Sequence, residues 1–259
     1  MPGAAEAGRR PATASERRRM YRDLALSLRC GLRDAAAGFS FLRLRGLRAL
    51  LRALRSAAAD ADGLGLFRDS QAIRDLQVIP VLFEHSLRRP AGDAVVTVAQ
   101  VLGMEPAAVR IRSPATDSEA VLALRVVLNI LMTRGILEQR TCLDTLLALL
   151  VDCSENQMDF KEQDGLNKIA DIVKDPNRDD NVRLKCSEFL LLYSGNAKEK
   201  YCSAASKSNI QEDLKKLFGE QCASFICSMN LFSSTLGSHV KQSELSFLAE
   251  QVLDYMQPY

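Results

Sequence analysis

The chain has 259 residues, of which 47% are hydrophobic and 25% charged, and its formal net charge is +2. That globular mixture excludes a wholly disordered chain, and the near balance of charge argues against a strong overall nucleic-acid footprint. No apolar run reaches the roughly 18 residues that a membrane helix needs, so no membrane span is expected.

In chain order, residues 1–14 read as a disordered tail, with Pro2, Gly3 and Pro11 among small residues. Ser15 is placed to cap a helix running to about Ala36. From Phe41, Leu42, Leu47, Leu50, Leu51 and Leu54 form one broad stripe with arginines mostly opposite, an amphipathic helix packed on a core rather than lying on a membrane surface. Asp62-Gly63-Leu64-Gly65 reads as a break. Helices are then expected at about 66–73, 76–89, 93–103, 117–133, 137–152, 157–161, 165–174, 179–194, 208–218, 220–231 and 241–256. Between them fall Arg89-Pro90, Glu105-Pro106, Ser113-Pro114, Asp175-Pro176, Ser194-Gly195-Asn196 and Leu236-Gly237. No segment alternates convincingly as a strand, so the chain reads as all-α. The expected organisation is a tail over 1–14, a helical domain over 15–231, and a linker with a capping helix over 232–259.

The two halves differ in composition. Residues 1–60 hold 13 arginines against five acids, a net charge of +8, while all ten lysines lie at or after Lys161. Alanine is enriched alongside arginine, which favours a coding bias, although the segment offers a surface to an acidic partner. Arg9-Arg10 and Arg17-Arg18-Arg19 resemble a split nuclear-import signal, so nuclear entry is allowed for.

Reactive chemistry is thin. The seven cysteines include no CxxC pair, and five of them, Cys142, Cys153, Cys186, Cys222 and Cys227, sit in apolar helical patterns where a free thiol packs as a small hydrophobe. The visible pattern fits reduced thiols in a cytosolic or nuclear setting. The two histidines, His85 and His239, lack paired ligands for a zinc site. No phosphate-binding glycine loop, nucleophile elbow or HExxH motif occurs. No catalytic residue, cofactor, metal or small-molecule substrate is therefore expected, and the chain is not read as an enzyme.

A shift of 40 residues aligns two helices. Cys142, Leu146, Leu149, Leu150 and Cys153 fall on Val182, Cys186, Phe189, Leu190 and Tyr193, and Ser154 and Asn156 fall on Ser194 and Asn196. That period lies in the armadillo/HEAT range. Residues 156–196 have the grammar of one repeat: a short helix, Asp164-Gly165, the helix "GLNKIADIVK", an acidic turn and a long apolar helix. Gly165 is assigned the freedom to turn sharply between two helices. The expected fold is an armadillo/HEAT-like right-handed solenoid, whose third helices line a concave groove. Arg125, Asn129, Asp152, Glu188 and Leu192 are the candidate partner-binding residues of that groove.

Over residues 156–194 the chain resembles a family, the fungal septation-initiation-network component called cell division control protein fourteen, which is unrelated to the phosphatase of that name. Phe160, Glu162, Gly165 and Leu166 match its "F-E-x-x-x-G-L" element. Val182, Leu184, Lys185, Glu188, Phe189 and Leu190 match its "V-K-L-K-x-x-E-F-L" helix. "GLRDAAAGFSFLRLRGLRALLRAL" is similar to its opening helix pair. The resemblance covers roughly residues 30–200. It implies a non-catalytic adaptor that binds a germinal-centre-type protein kinase at the spindle pole and promotes cytokinesis, hence a cytoplasmic protein reaching the centrosome. The alternatives are an armadillo-type Hsp70 cofactor that exchanges nucleotide, and a generic helical-repeat interaction protein using its Arg-rich N-terminal part. Nucleic acid is the less favoured partner.

Overall fold

The computed structural model describes residues 13–59, 61–85, 115–133, 139–150, 153–199, 204–228 and 238–255. Eleven α-helices and one short 3-10 turn account for the regular structure among them, with no strand. The helix expected over 93–103 lies outside the described residues.

Helix α1 (Ala14–Ala35) starts from a capping box. The Thr13 hydroxyl accepts from the Glu16 N–H at 3.3 Å, and Glu16 Oε2 accepts from the Thr13 N–H at 2.8 Å. The cap is therefore Thr13 and not Ser15, because Thr13 has the Glu three positions on that completes the reciprocal pair. Helix α2 (Ser40–Ala57) packs against α1 backbone to backbone. A Cβ on Gly46 would lie 2.4 Å from the Ala35 nitrogen and 2.6 Å from the Gly31 carbonyl. Leu47, Leu50, Leu51 and Leu54 are buried, so the leucine stripe is a packing face.

Helix α3 (Ala61–Gln71) runs through both Gly63 and Gly65, where the sequence suggested a break. Two glycines cost about 1 kcal/mol each in a helix interior. Buried Leu66 and Phe67 supply the tertiary packing that overrides this propensity. Gln71 then joins α3 to the 3-10 turn Arg74–Leu76 and to α4 (Val78–His85): its amide donates to the Leu76 carbonyl at 3.0 Å and accepts from the Val78 N–H at 3.0 Å.

The second half comprises α5 (Asp117–Met132), α6 (Gln139–Leu150), α7 (Ser154–Glu162), α8 (Gly165–Lys174), α9 (Asp180–Glu199), α10 (Ala204–Ser228) and α11 (Ser238–Asp254). Carboxamides close several helix ends, whose last carbonyls have no partner inside their own helix. Gln139 donates to the Leu131 and Thr133 carbonyls at 2.8 and 2.7 Å, and Asn156 and Gln157 donate to those of Leu149 and Leu150 at 2.8 and 2.7 Å. Helix α2 packs on α5, α5 on α6, and α6 on α9, which also carries α8, α10 and α11. One buried apolar cluster connects Leu28 at one end of the chain to Val252 at the other.

All ten apolar positions paired by the 40-residue shift are buried. The polar ends do not correspond. Ser154 and Asn156 open a new helix, whereas α9 continues through Ser194-Gly195-Asn196 to Glu199. The expected stop at Ser194 fails because its hydroxyl donates to the Leu191 and Ile226 carbonyls at 3.0 and 3.2 Å, which satisfies a buried polar group inside the helix. The break expected after residue 218 is present: Gly219 takes φ 81° and ψ 168° and divides α10 into two helical pieces.

Gly165 corrects the assignment given to it. The left-handed residue is Asp164, at φ 54°, while Gly165 is the first residue of α8. Its missing side chain matters for space, because a Cβ there would lie 2.2 Å from the Phe160 ring.

Candidate interaction surface

The turn between α7 and α8 forms one wall of a cleft of about 280 Å³ whose other walls come from α9 and α10. Phe160, Leu166, Tyr193, Ile210 and Leu217 supply apolar surface. Phe160, Phe189 and Tyr193 form an aromatic cluster beneath it, with ring centroids 5.6 to 6.0 Å apart. Such spacing favours aromatic pairs and stiffens the floor. The rim is charged: Lys161 pairs with Asp213 at 3.0 Å, and Lys216 and Asp164 stand nearby. The Gly219 kink ends the helical piece that carries Ile210, Asp213, Lys216 and Leu217. An apolar floor with a polar rim is the anatomy of a protein-interaction site.

The candidate groove residues divide into two groups. Arg125 and Asn129 are half-buried neighbours on α5. Arg125 Nε donates to Gln163 Oε1 at 2.8 Å and so ties α5 to the α7–α8 turn that walls the cleft. The Asn129 amide donates to the Arg125 carbonyl at 2.8 Å, a bond within its own helix. Leu192, half-buried on α9, packs against the core next to Tyr193 of the cleft.

Glu188 stands apart from these, 4% exposed beneath α11. It accepts from Ser246 of α11 at 2.8 Å and from Lys185 at 3.0 Å, and Lys185 reaches Asp144 of α6 at 3.2 Å. Burial works against the Lys185 charge, but the hydrogen bond and charge of Glu188, with those of Asp144, outweigh it and hold the ammonium above the ordinary lysine value. Glu188 thus seats the C-terminal helix. Asp152 lies outside the described residues.

The cleft residues of α10 were not singled out from the sequence. The signal for them is the pattern of Ile210, Leu214 and Leu217 ahead of Gly219, which marks one face of a helix that stops at a residue suited to positive φ.

Thiols and histidine follow packing. Cys142, Cys153, Cys186 and Cys222 are buried, and burial pushes the Cys186 thiol up to about 12 and that of Cys222 to about 11. His85 is half-buried beside Glu84, with Nε2 3.6 Å from Oε2. Among the described residues, no three of His, Cys, Asp and Glu gather as a metal set, and no helix is long and apolar enough to cross a membrane.

Residues 122–242 match the family described as Cell division control protein 14, SIN component. The resemblance read at residues 156–194 is to this family and not to the phosphatase, whereas the match does not reach the helix pair at residues 31–54 and does run past residue 200. The matched segment contains the whole cleft, from Phe160 to Leu217. No curated protein and no solved structure matches the chain.

Proposed function

We propose that the chain is a non-catalytic adaptor in cell-division signalling, built as an armadillo-like stack of helices, that holds a protein partner at the α7–α10 cleft. The observation that carries this reading is that the family match encloses a charged-rimmed, aromatic-floored cleft. The partner we infer is a germinal-centre-type protein kinase, as the family resemblance implies, met at a spindle pole or centrosome. An apolar side chain of the partner fills the cleft, and carboxylates or ammonium groups beside it exchange with the Lys161–Asp213 pair. Arg125 acts from behind, by fixing the α7–α8 turn, and Asn129 and Leu192 border that region of the stack. Glu188 keeps α11 in place.

Site-specific photo-crosslinking tests the reading. A crosslinker placed at Lys216 or Asn167, both exposed beside the cleft, is expected to capture such a kinase in dividing cells, while one at exposed Ala148 on α6 does not. Equal capture from all three positions, or capture of Hsp70 instead, would contradict it.

A further inference from the structure

Outside the family match, α2 presents a second surface. Phe41, Arg45, Arg48, Arg52 and Arg55 recur at steps of four and three residues, so they share one face of the helix. All five are exposed, Phe41 by 67%. Phe39, 58% exposed, stacks on Phe41 with centroids 6.1 Å apart and continues the line past the helix start. From Phe41 to Arg55 the stripe is roughly 21 Å long at 1.5 Å per residue. Helix α2 holds no acidic residue. Asp34 of α1 pairs with Arg45 at 2.8 Å, but among the described residues no carboxylate pairs with Arg48, Arg52 or Arg55.

The stripe is also fixed in place. The buried Arg43 guanidinium donates to the Ala37 and Gly38 carbonyls at 3.2 and 2.9 Å, which pins the linker that carries Phe39. Its Nε donates to buried Glu119 of α5 at 2.7 Å. The leucine face of α2 is occupied by packing, so these aromatics and arginines are what the helix offers to solvent.

We propose that this stripe docks the chain on an anionic lipid surface. Guanidinium groups pair with phosphate and carboxylate headgroups, and each basic residue near such a surface strengthens binding about fivefold. Exposed phenylalanine rings bury at the boundary between headgroups and acyl chains. Exposed residues aligned on one face of a helix can meet a plane together. A single-stranded nucleic acid would instead call for aromatics interleaved with the arginines, and here both aromatics stand at one end.

The experiment uses the full chain with vesicles of phosphatidylcholine alone, or with about a third phosphatidylserine, sedimented at low and at high salt. The expected result is binding to the anionic vesicles alone, lost at high salt where the screening length falls to about 3 Å. Arg48→Glu/Arg52→Glu and, separately, Phe39→Ser/Phe41→Ser are each expected to weaken it at least about tenfold, with the melting temperature unchanged. Absence of binding at low salt, or binding that either variant leaves intact, overturns the proposal. So does tighter retention of polyglutamate or duplex DNA than of vesicles, which would make the stripe a protein or nucleic-acid surface. Crosslinking at the α7–α10 cleft reads the adaptor function independently, so failure of either is separable.

Discussion

Arg43 and Glu119 stand 76 positions apart and meet in the core, Nε to Oε2 at 2.7 Å, with neither side chain exposed. The Ser40 hydroxyl donates to the other Glu119 oxygen, so both partners are satisfied. Two charges taken out of water are tolerated when each completes the other's hydrogen bonds, and removing one leaves the other uncompensated. Glu119→Ala is expected to cost about 3–5 kcal/mol in urea unfolding. Arg43→Met combined with Glu119→Leu should recover most of that loss. A single variant that unfolds like the parent would mean the pair is not buried in solution.

Gly165 and Phe160 make a steric test. Gly165→Ala sets a methyl against the ring, and overpacking of this kind costs typically 1–3 kcal/mol. If space is the cause, Phe160→Leu in the same chain should relieve part of the penalty, giving a double-mutant coupling that differs from zero. Simple additivity would mean that the Phe160 ring is not the source of the penalty.

The aromatic floor predicts a large effect at Phe189, which is 2% exposed between Phe160 and Tyr193. Phe189→Ala should destabilise by roughly 3–5 kcal/mol through lost burial and a cavity. A melting temperature equal to the parent's would remove α9 from the core.

The Lys185 cluster predicts an alkaline dependence. Its folded-state pKa is raised, so its contribution is complete below the ordinary lysine value of 10.5 and is lost as pH rises through the folded value. Stability measured at neutral pH and above 10.5 should fall more in the parent than in Lys185→Met. Equal falls would detach Lys185 from Glu188 and Asp144. Hydrogen exchange in α11 should rise in the same variant, because Glu188 would then sit buried without its cation.

Thiol labelling reads the packing directly. The thiolate is the reacting species, so Cys30, which is exposed, should label well before Cys186 and Cys222, which are buried and shifted far above neutral pH. Rapid labelling of Cys186 in the folded chain would contradict the α9 assignment.

Helical periodicity made the all-α class legible, along with the 40-residue correspondence between α6 and α9, because burial of one face imposes a pattern along the chain. What escaped depends on contacts distant in sequence. Nothing near Arg43 announces Glu119, and an arginine on a leucine stripe reads as solvent-facing until its partner is known. Gly63 and Gly65 carried a break signal that packing of Leu66 and Phe67 overrode. Thr13 and Glu16 did carry the capping-box spacing, and Ser15 distracted from it. For the candidate site, Phe160, Gly165 and Leu166 were marked by the family resemblance, whereas the α10 wall needed the fold to bring residues 210–217 against them. Glu188 was marked as well, but its pairing with Ser246 is invisible without the return of α11.

The most direct measurement is affinity purification of the full chain from dividing cells beside an Asp213→Lys/Lys216→Glu variant, after showing that both melt alike. The adaptor account predicts that the parent retains a germinal-centre-type kinase and that the rim variant loses it. Retention of the kinase by both chains, or recovery of Hsp70 in a nucleotide-sensitive complex in its place, would contradict the account.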